Sequence, residues 1–368
     1  MSHRPRATVA AMIGEVVGSF RLAQALERHR WGDLFAAEPT AGGPAVTLLL
    51  VDTGACGDRA RVDRCIGDAR TAAGLGQANI APLVEAGVHA DGRVYLATTR
   101  LGGQTLTARV RSAGRLSATQ IAVVGRQVAT ALAAAHGKGL PHRDLAPDDI
   151  EIVAAPELPN GERVVVHGFG LAQLGGHRAP GYVAPEQWDD AGAADARSDT
   201  YALGCIVFEM ACGHAPFGSG ALEELRARHL SAPAPLARSV TPDVPGALEH
   251  LLSKLLEKRP EDRPKSLADL VRTFEVLGGG ALATGPLAPT GMSSEALPSP
   301  VASAEALPGQ APIRVAPPPV RRAPAPVDTS PRYSEPPRKK GLPGWMVICG
   351  GLILAAILVA IVVLATHK

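Results

Sequence analysis

After Leu277 the sequence loses the means to build a core, and this limits where a globule can form. Gly278-Gly279-Gly280 opens a stretch dominated by Pro, Ala and Ser, through Pro317-Pro318-Pro319 and Pro324-Ala325-Pro326. Too little apolar side chain is available there to offset the entropy of ordering, so residues 278–343 are expected to be a disordered linker. Beyond it, Trp345 to Ala365 contains no charged residue. At ~1.5 Å per residue a helix of that length matches a hydrocarbon core ~30 Å thick, and core helices seldom stay apolar on every face. The sequence therefore predicts one transmembrane helix over 344–366 and a short external tail, 367–368. Arg332, Arg338, Lys339 and Lys340 precede this run and only His367 and Lys368 follow, so the positive-inside rule places the large N-terminal part in the cytoplasm of a single-pass cell-membrane protein. Residues 1–17 read as a tail, not a signal peptide, because Glu15 interrupts their short apolar stretch. The remaining segment, 18–277, has to supply the fold.

That segment changes character along its length. Phe20–Leu22, Asp33–Ala36, Ala45–Leu50 and Val94–Thr98 read as short strands between turn-rich segments, with a helix near Arg59–Gly74. Ser117-Ala118-Thr119-Gln120 forms a capping box ahead of a helix reaching Ala135. Further helices fall near Thr200–Cys212, Leu222–Leu230, Ala247–Leu256 and Ser266–Leu277. A small sheet-rich lobe followed by a larger helical lobe is the expected architecture, of α+β class. The net charge of +2 argues against a nucleic-acid partner, and the five cysteines show no C-x-x-C spacing for zinc or redox work.

Five motifs follow one another in the helical half: His142-Arg143-Asp144-Leu145, Gly168-Phe169-Gly170, Ala184-Pro185-Glu186, Ser198-Asp199-Thr200 and Arg259-Pro260-Glu261-Asp262-Arg263-Pro264. In this order they resemble the bacterial serine/threonine protein kinases that carry a C-terminal membrane anchor. The resemblance covers about 260 residues and implies a bilobal kinase fold. It also implies that Glu186 pairs with Arg263, that Asp199 braces the catalytic-loop backbone, and that His142 and Phe169 stack between the lobes.

The same alignment marks what is missing. Glu27 and His29 stand where the first two glycines of the phosphate-covering loop would be, leaving Gly32. Leu48 takes the place of the phosphate-gripping lysine, and Asp68 that of its glutamate partner. Asp144 remains as a vestigial base, but the lysine two residues on is Ala146, the asparagine that would hold a second Mg²⁺ is Asp149, the metal-binding aspartate is Gly168, and the threonine that contacts the lysine is Ala179. The implied protein is a pseudokinase that needs no cofactor, binds ATP and Mg²⁺ weakly or not at all, and docks a protein partner, an active kinase or its substrate. Two alternatives stay open. One is an unconventional kinase in which Asp144, Asp148 and Asp149 hold a metal and His29, Arg30 or His167 replaces the missing cation. The other is a non-catalytic nucleotide or metabolite sensor.

Overall fold

The computed structural model describes residues 9–279 apart from 177–178 and 191–193. The linker and the apolar run expected over 278–343 and 344–366 lie, but for Gly278 and Gly279, outside the described residues. Among the described residues no helix is long and apolar enough to cross a membrane.

The first lobe is a six-stranded antiparallel sheet in the order β1-β2-β3-β4-β6-β5. Its strands are β1 Val16–Val17, β2 Phe20–Ala25, β3 Gly32–Pro39, β4 Val46–Val51, β5 Leu83–Val88 and β6 Val94–Thr99, with helix α1, Arg59–Ala73, inserted between β4 and β5. Both faces of the sheet are covered. On one, Phe20, Phe35, Leu48 and Tyr95 pack with Met12 and Val17. On the other, Trp31, Leu49 and Leu96 pack against Cys65, Ile66 and Ala69 of α1. The folded body thus begins before residue 18: Met12 and Val17 are core residues, so the expected N-terminal tail is partly structural. Asp58 caps α1 by accepting from the amides of Ala60 and Arg61.

The second lobe opens with β7, Gln104–Thr105, and α2, Leu106–Ala113, then α3, Ala118–His136, and the hairpin β8 Ile150–Ala154 with β9 Glu162–Val166. It continues through α4 Pro185–Asp189, α5 Ala196–Cys212, α6 Leu222–Ser231, α7 Ala237–Val240, α8 Gly246–Leu255 and α9 Leu267–Gly279. The Ser117 capping box is formed: Ser117 Oγ accepts from the Gln120 amide at 3.3 Å and Gln120 Oε1 from the Ser117 amide at 2.9 Å. Helix α5 is buried on nearly every face, as expected of the central helix of a lobe. Helix α9 packs along α3, where a Cβ at Gly125 would lie 2.5 Å from the Phe274 ring. This packing carries α9 through Gly278 and Gly279, so the ordered chain runs two residues past Leu277, into what the composition assigns to the linker.

Candidate functional site

The β2–β3 hairpin closes on two residues. His29 and Gly32 exchange both backbone hydrogen bonds, at 3.0 and 3.1 Å, which leaves Arg30 and Trp31 at the tip. No side chain fits at Gly32, because a Cβ would lie 2.1 Å from the Leu50 carbonyl oxygen. From this tip the Arg30 guanidinium enters between two buried carboxylates of the opposite lobe. It donates to Asp149 through Nη2 at 2.5 Å and Nη1 at 2.8 Å, and to Asp144 Oδ2 through Nη2 at 3.1 Å and Nε at 3.3 Å. Nη2 also reaches the Asp144 carbonyl oxygen at 2.6 Å. Trp31, wholly buried, donates Nε1 to the same Asp144 Oδ2 at 3.1 Å. The planar fork of arginine suits such a bidentate grip, where a lysine would act only as a point charge.

Charge and burial oppose each other in this cluster. Burial pushes the Asp149 carboxyl up, but the Arg30 charge, with hydrogen bonds from His29 and Arg30, holds it well below the usual carboxylate range. Asp144 ends on the other side: burial raises it, Arg30 only partly offsets this, and the nearby Asp149 charge adds to the rise. For Arg30, burial disfavours the cation and the two carboxylates more than compensate, leaving its pKa above the ordinary value. A side chain therefore supplies the positive charge that two clustered acids require.

The cleft wall corrects one residue of the sequence reading. Thr47 and Leu49 of β4 face the cavity between the lobes, whereas Leu48 points to the opposite face of the sheet, among Phe20, Phe35 and Tyr95. Of the two cleft-facing residues, Leu49 is the one that packs against α1, so it and not Leu48 corresponds to the position the resemblance gives to a lysine paired with that helix. A shift of one residue inverts every side chain of a strand, and the run Thr47-Leu48-Leu49-Leu50-Val51 is too uniformly apolar to reveal its parity. Leu49 shares its apolar cluster with Cys65, Ile66 and Ala69, so hydrophobic packing stands where an ion pair would be. Asp68 is likewise not aimed at phosphates: it accepts from Gln173 Nε2 at 2.6 Å and does not line the cavity. Glu27, His29 and Asp148 do line it, and Asp148 is held by the Thr107 hydroxyl.

Gly168 sits at φ +86°, a conformation that favours glycine, and a Cβ there would lie 3.0 Å from Asp149 Oδ1 and 3.4 Å from His142 Nε2. Ala146 and Ala179 are both buried, and the Ala146 amide donates to Asp149 Oδ2 at 2.9 Å. Asp149 is thus bonded by Arg30 and by its own loop.

Around this centre stands a polar frame. Asp199 accepts from the amides of His142 and Arg143, each at 2.7 Å, and lies 2.7 Å from His136 Nε2. Arg143 occupies the left-handed region at φ 69°, a strained geometry for a non-glycine residue that this double contact supports. The His142 and Phe169 rings meet edge-on at 4.9 Å. Glu186 and Arg263 form a bidentate pair at 2.7 and 2.8 Å, Ser198 donates to Glu186 at 2.8 Å, and Arg263 also donates to the carbonyls of Arg197, Glu257 and Lys258.

Comparison with known proteins bears on the family and the fold. The family described as protein kinase domain matches residues 61–273. The chain belongs to the protein kinase family. It is 33% identical over 276 residues to the serine/threonine-protein kinase Pkn1 of Myxococcus xanthus, covering 72% of this chain and 39% of that protein. To PknE of Mycobacterium tuberculosis it is 30% identical over 267 residues, covering 72% and 47%. The chain thus spans less than half the length of these curated relatives. The crystal structure of the Mycobacterium tuberculosis PknI kinase domain superposes with a TM-score of 0.59 at 21% identity, covering 72% of this chain and 98% of that one, which establishes the bilobal kinase fold. The family match opens at α1 and leaves out β2 to β4, the strands that carry the Arg30 hairpin and Leu49.

Within this serine/threonine-kinase-like fold, the residues present do not fit a Mg²⁺ ion bridging carboxylates to phosphates. Gly168 offers no ligand, and both oxygens of Asp149 already accept from Arg30. The sequence offered Arg30 only as one of three candidate cations, with His29 and His167; the lobe arrangement is what brings it to residues more than a hundred positions away.

Proposed function

We propose that this chain is a kinase-fold signalling protein that no longer transfers phosphate and acts by docking a protein partner, an active kinase or the substrate of one. The observation that carries this reading is the Arg30 guanidinium bonded to both Asp144 and Asp149. Phosphoryl transfer needs a free base and a metal on the phosphates; here the carboxylate of the base accepts three donor contacts, and both oxygens of Asp149, the remaining carboxylate beside it, are bonded to Arg30. Losing one preorganised electrostatic contact typically lowers turnover ~10²–10³-fold. The lysine position is Leu49 and the metal-binding position Gly168, so one such factor on each already suppresses an enzyme class that turns over at ~1–100 s⁻¹. An unconventional kinase with a metal on Asp148 and Asp149 is the weaker reading, because Asp149 is neutralised by Arg30.

Asp144→Asn tests it, since asparagine keeps an acceptor for Trp31 while removing the basic carboxylate. The purified full-length protein and this variant, given labelled ATP and Mg²⁺, are expected to show the same background transfer to casein and to themselves. In a deletion strain the variant should restore function as the unaltered chain does. Transfer that depends on Asp144, or a stable variant that behaves like the deletion, would show that Asp144 acts chemically.

We further propose that the apolar run 344–366 anchors this body at the cytoplasmic face of the cell membrane, on the strength of its charge-free length and the preceding basic residues. A phosphatase reporter fused after Lys368 should be active outside the cytoplasm. A reporter active only inside sinks the orientation.

A further inference from the structure

A second cavity, of about 260 Å³, lies within the helical lobe where the end of α3 meets the starts of α5 and α9. Sites for drug-sized molecules begin at about 300 Å³, so an occupant here is compact. Its lining includes two cations, Arg197 and Lys265, and no carboxylate. Among the described residues, neither the Arg197 guanidinium nor the Lys265 ammonium has a hydrogen-bond or ion-pair partner. The acids nearby are engaged elsewhere. Asp199 accepts from the His142 and Arg143 amides and lies 2.7 Å from His136 Nε2, which turns that ring of the cavity wall toward it. Asp195 accepts from the amides of Arg197 and Ser198, and Arg259 holds Glu261 at 2.8 Å. Ser266 brings a further donor to the lining: its Oγ accepts from the Asp269 amide at 3.3 Å, which leaves the hydroxyl hydrogen free. The Thr200 hydroxyl, by contrast, already donates to the Ala196 carbonyl at 3.2 Å.

We infer that this cavity binds a phosphate group, as the free ion or as the monoester of a serine or threonine side chain. Two cations that no carboxylate neutralises, lining one small cavity, favour a doubly charged anion over a single carboxylate, because hydrogen bonds between ionised partners are about twice as strong as neutral ones. The guanidinium fork suits two oxygens of a tetrahedral anion, and the ammonium adds a point charge. The cavity between the lobes offers an anion no such place, since Glu27, Asp148, Asp149 and Glu151 all line it. The inference does not depend on whether the cleft transfers phosphate, and it goes beyond the proposed docking by naming a chemistry through which a phosphorylated protein would be held.

Calorimetry on the full-length protein in detergent tests it, with inorganic phosphate, phosphoserine blocked at both ends, and acetate as probes at one ionic strength. The two phosphates are expected to bind, and acetate to bind at least about tenfold more weakly. Arg197→Gln and Lys265→Gln should each weaken phosphate binding at least about fivefold, and together they should abolish its heat. The melting temperature without phosphate should stay near that of the parent, because neither side chain is bonded. Arg64→Gln, on the exposed face of α1, should leave the affinity unchanged. Binding of either phosphate that is lost in the double variant supports the site: tighter binding of inorganic phosphate marks the free ion as the ligand, and equal or tighter binding of the ester marks a phosphorylated side chain. Absence of any phosphate heat, acetate binding as tight as phosphate, or binding that survives the double variant overturns the inference. Label transfer from ATP judges the loss of phosphoryl transfer separately, so either reading can fail alone.

Discussion

Replacing Arg30 with alanine removes one side chain and leaves two buried carboxylates facing each other without their cation. The Asp149 side chain has no solvent exposure and that of Asp144 about 5%, so water cannot replace the lost donors without opening the lobes. Breaking a buried pair by deleting one partner costs about 3–5 kcal/mol, most of it the desolvation of the stranded charge. For a body of this size that corresponds to a fall in melting temperature on the order of 10 °C. The pH dependence has a definite direction. Asp149 has a folded-state pKa below that of the unfolded chain, so its pairing stabilises the protein above about pH 4 and the benefit disappears as pH falls toward the folded value. Asp144, with its pKa raised, acts oppositely and favours the fold at lower pH. Without Arg30 both carboxyls take up protons more readily, so the deficit of Arg30→Ala should be largest near pH 7.5 and shrink toward pH 5. Thermal unfolding of the full-length protein, followed by tryptophan fluorescence, reads this directly because Trp31 is buried beside Asp144. In an Asp149→Asn background the cost of Arg30→Ala should drop by at least about 1 kcal/mol. A cost below about 1 kcal/mol, or one indifferent to pH and to Asp149→Asn, would refute the idea that Arg30 serves as an internal counter-ion.

Two further outcomes follow from the same geometry. Arg263→Ala should destabilise the helical lobe by about 3–5 kcal/mol, because it strands Glu186, whose carboxyl burial pushes up and Arg263 holds down; the deficit should shrink as the pH falls through 5, and a variant as stable as the parent at pH 7.5 would count against the pairing. Gly168→Asp should fail to restore phosphoryl transfer and should cost about 1–3 kcal/mol, because its backbone lies at φ +86° and the new Cβ meets Asp149 Oδ1 at 3.0 Å; labelled-phosphate transfer by this single variant would show that the Arg30 cluster yields to a metal.

The sequence alone determined the two-lobe plan and the identity of the frame, because these rest on local order and on strong residue types. The five motifs occur in one sequence and need no contact map to be recognised, and the Ser117 capping box and the period of α1 are local properties of the chain. It could not determine which residue of an all-apolar strand faces the cleft. Leu48 and Leu49 are chemically alike, and only the pairing of β4 with β3 and β6 fixes the pleat that sends Leu48 to the outer core and Leu49 to the cavity. Nor could it assign Asp149 a partner. Read alone, Asp144, Asp148 and Asp149 form an acidic cluster in want of a cation, and Arg30 is one of several candidates. Tertiary structure decided the matter because a two-residue hairpin tip, held by the close approach of Gly32 to Leu50, carries Arg30 across the cleft to carboxylates 114 and 119 positions away. A charge pairing of that separation leaves no periodic or local trace in a sequence, since it depends on the relative placement of two lobes and not on the propensity of either segment.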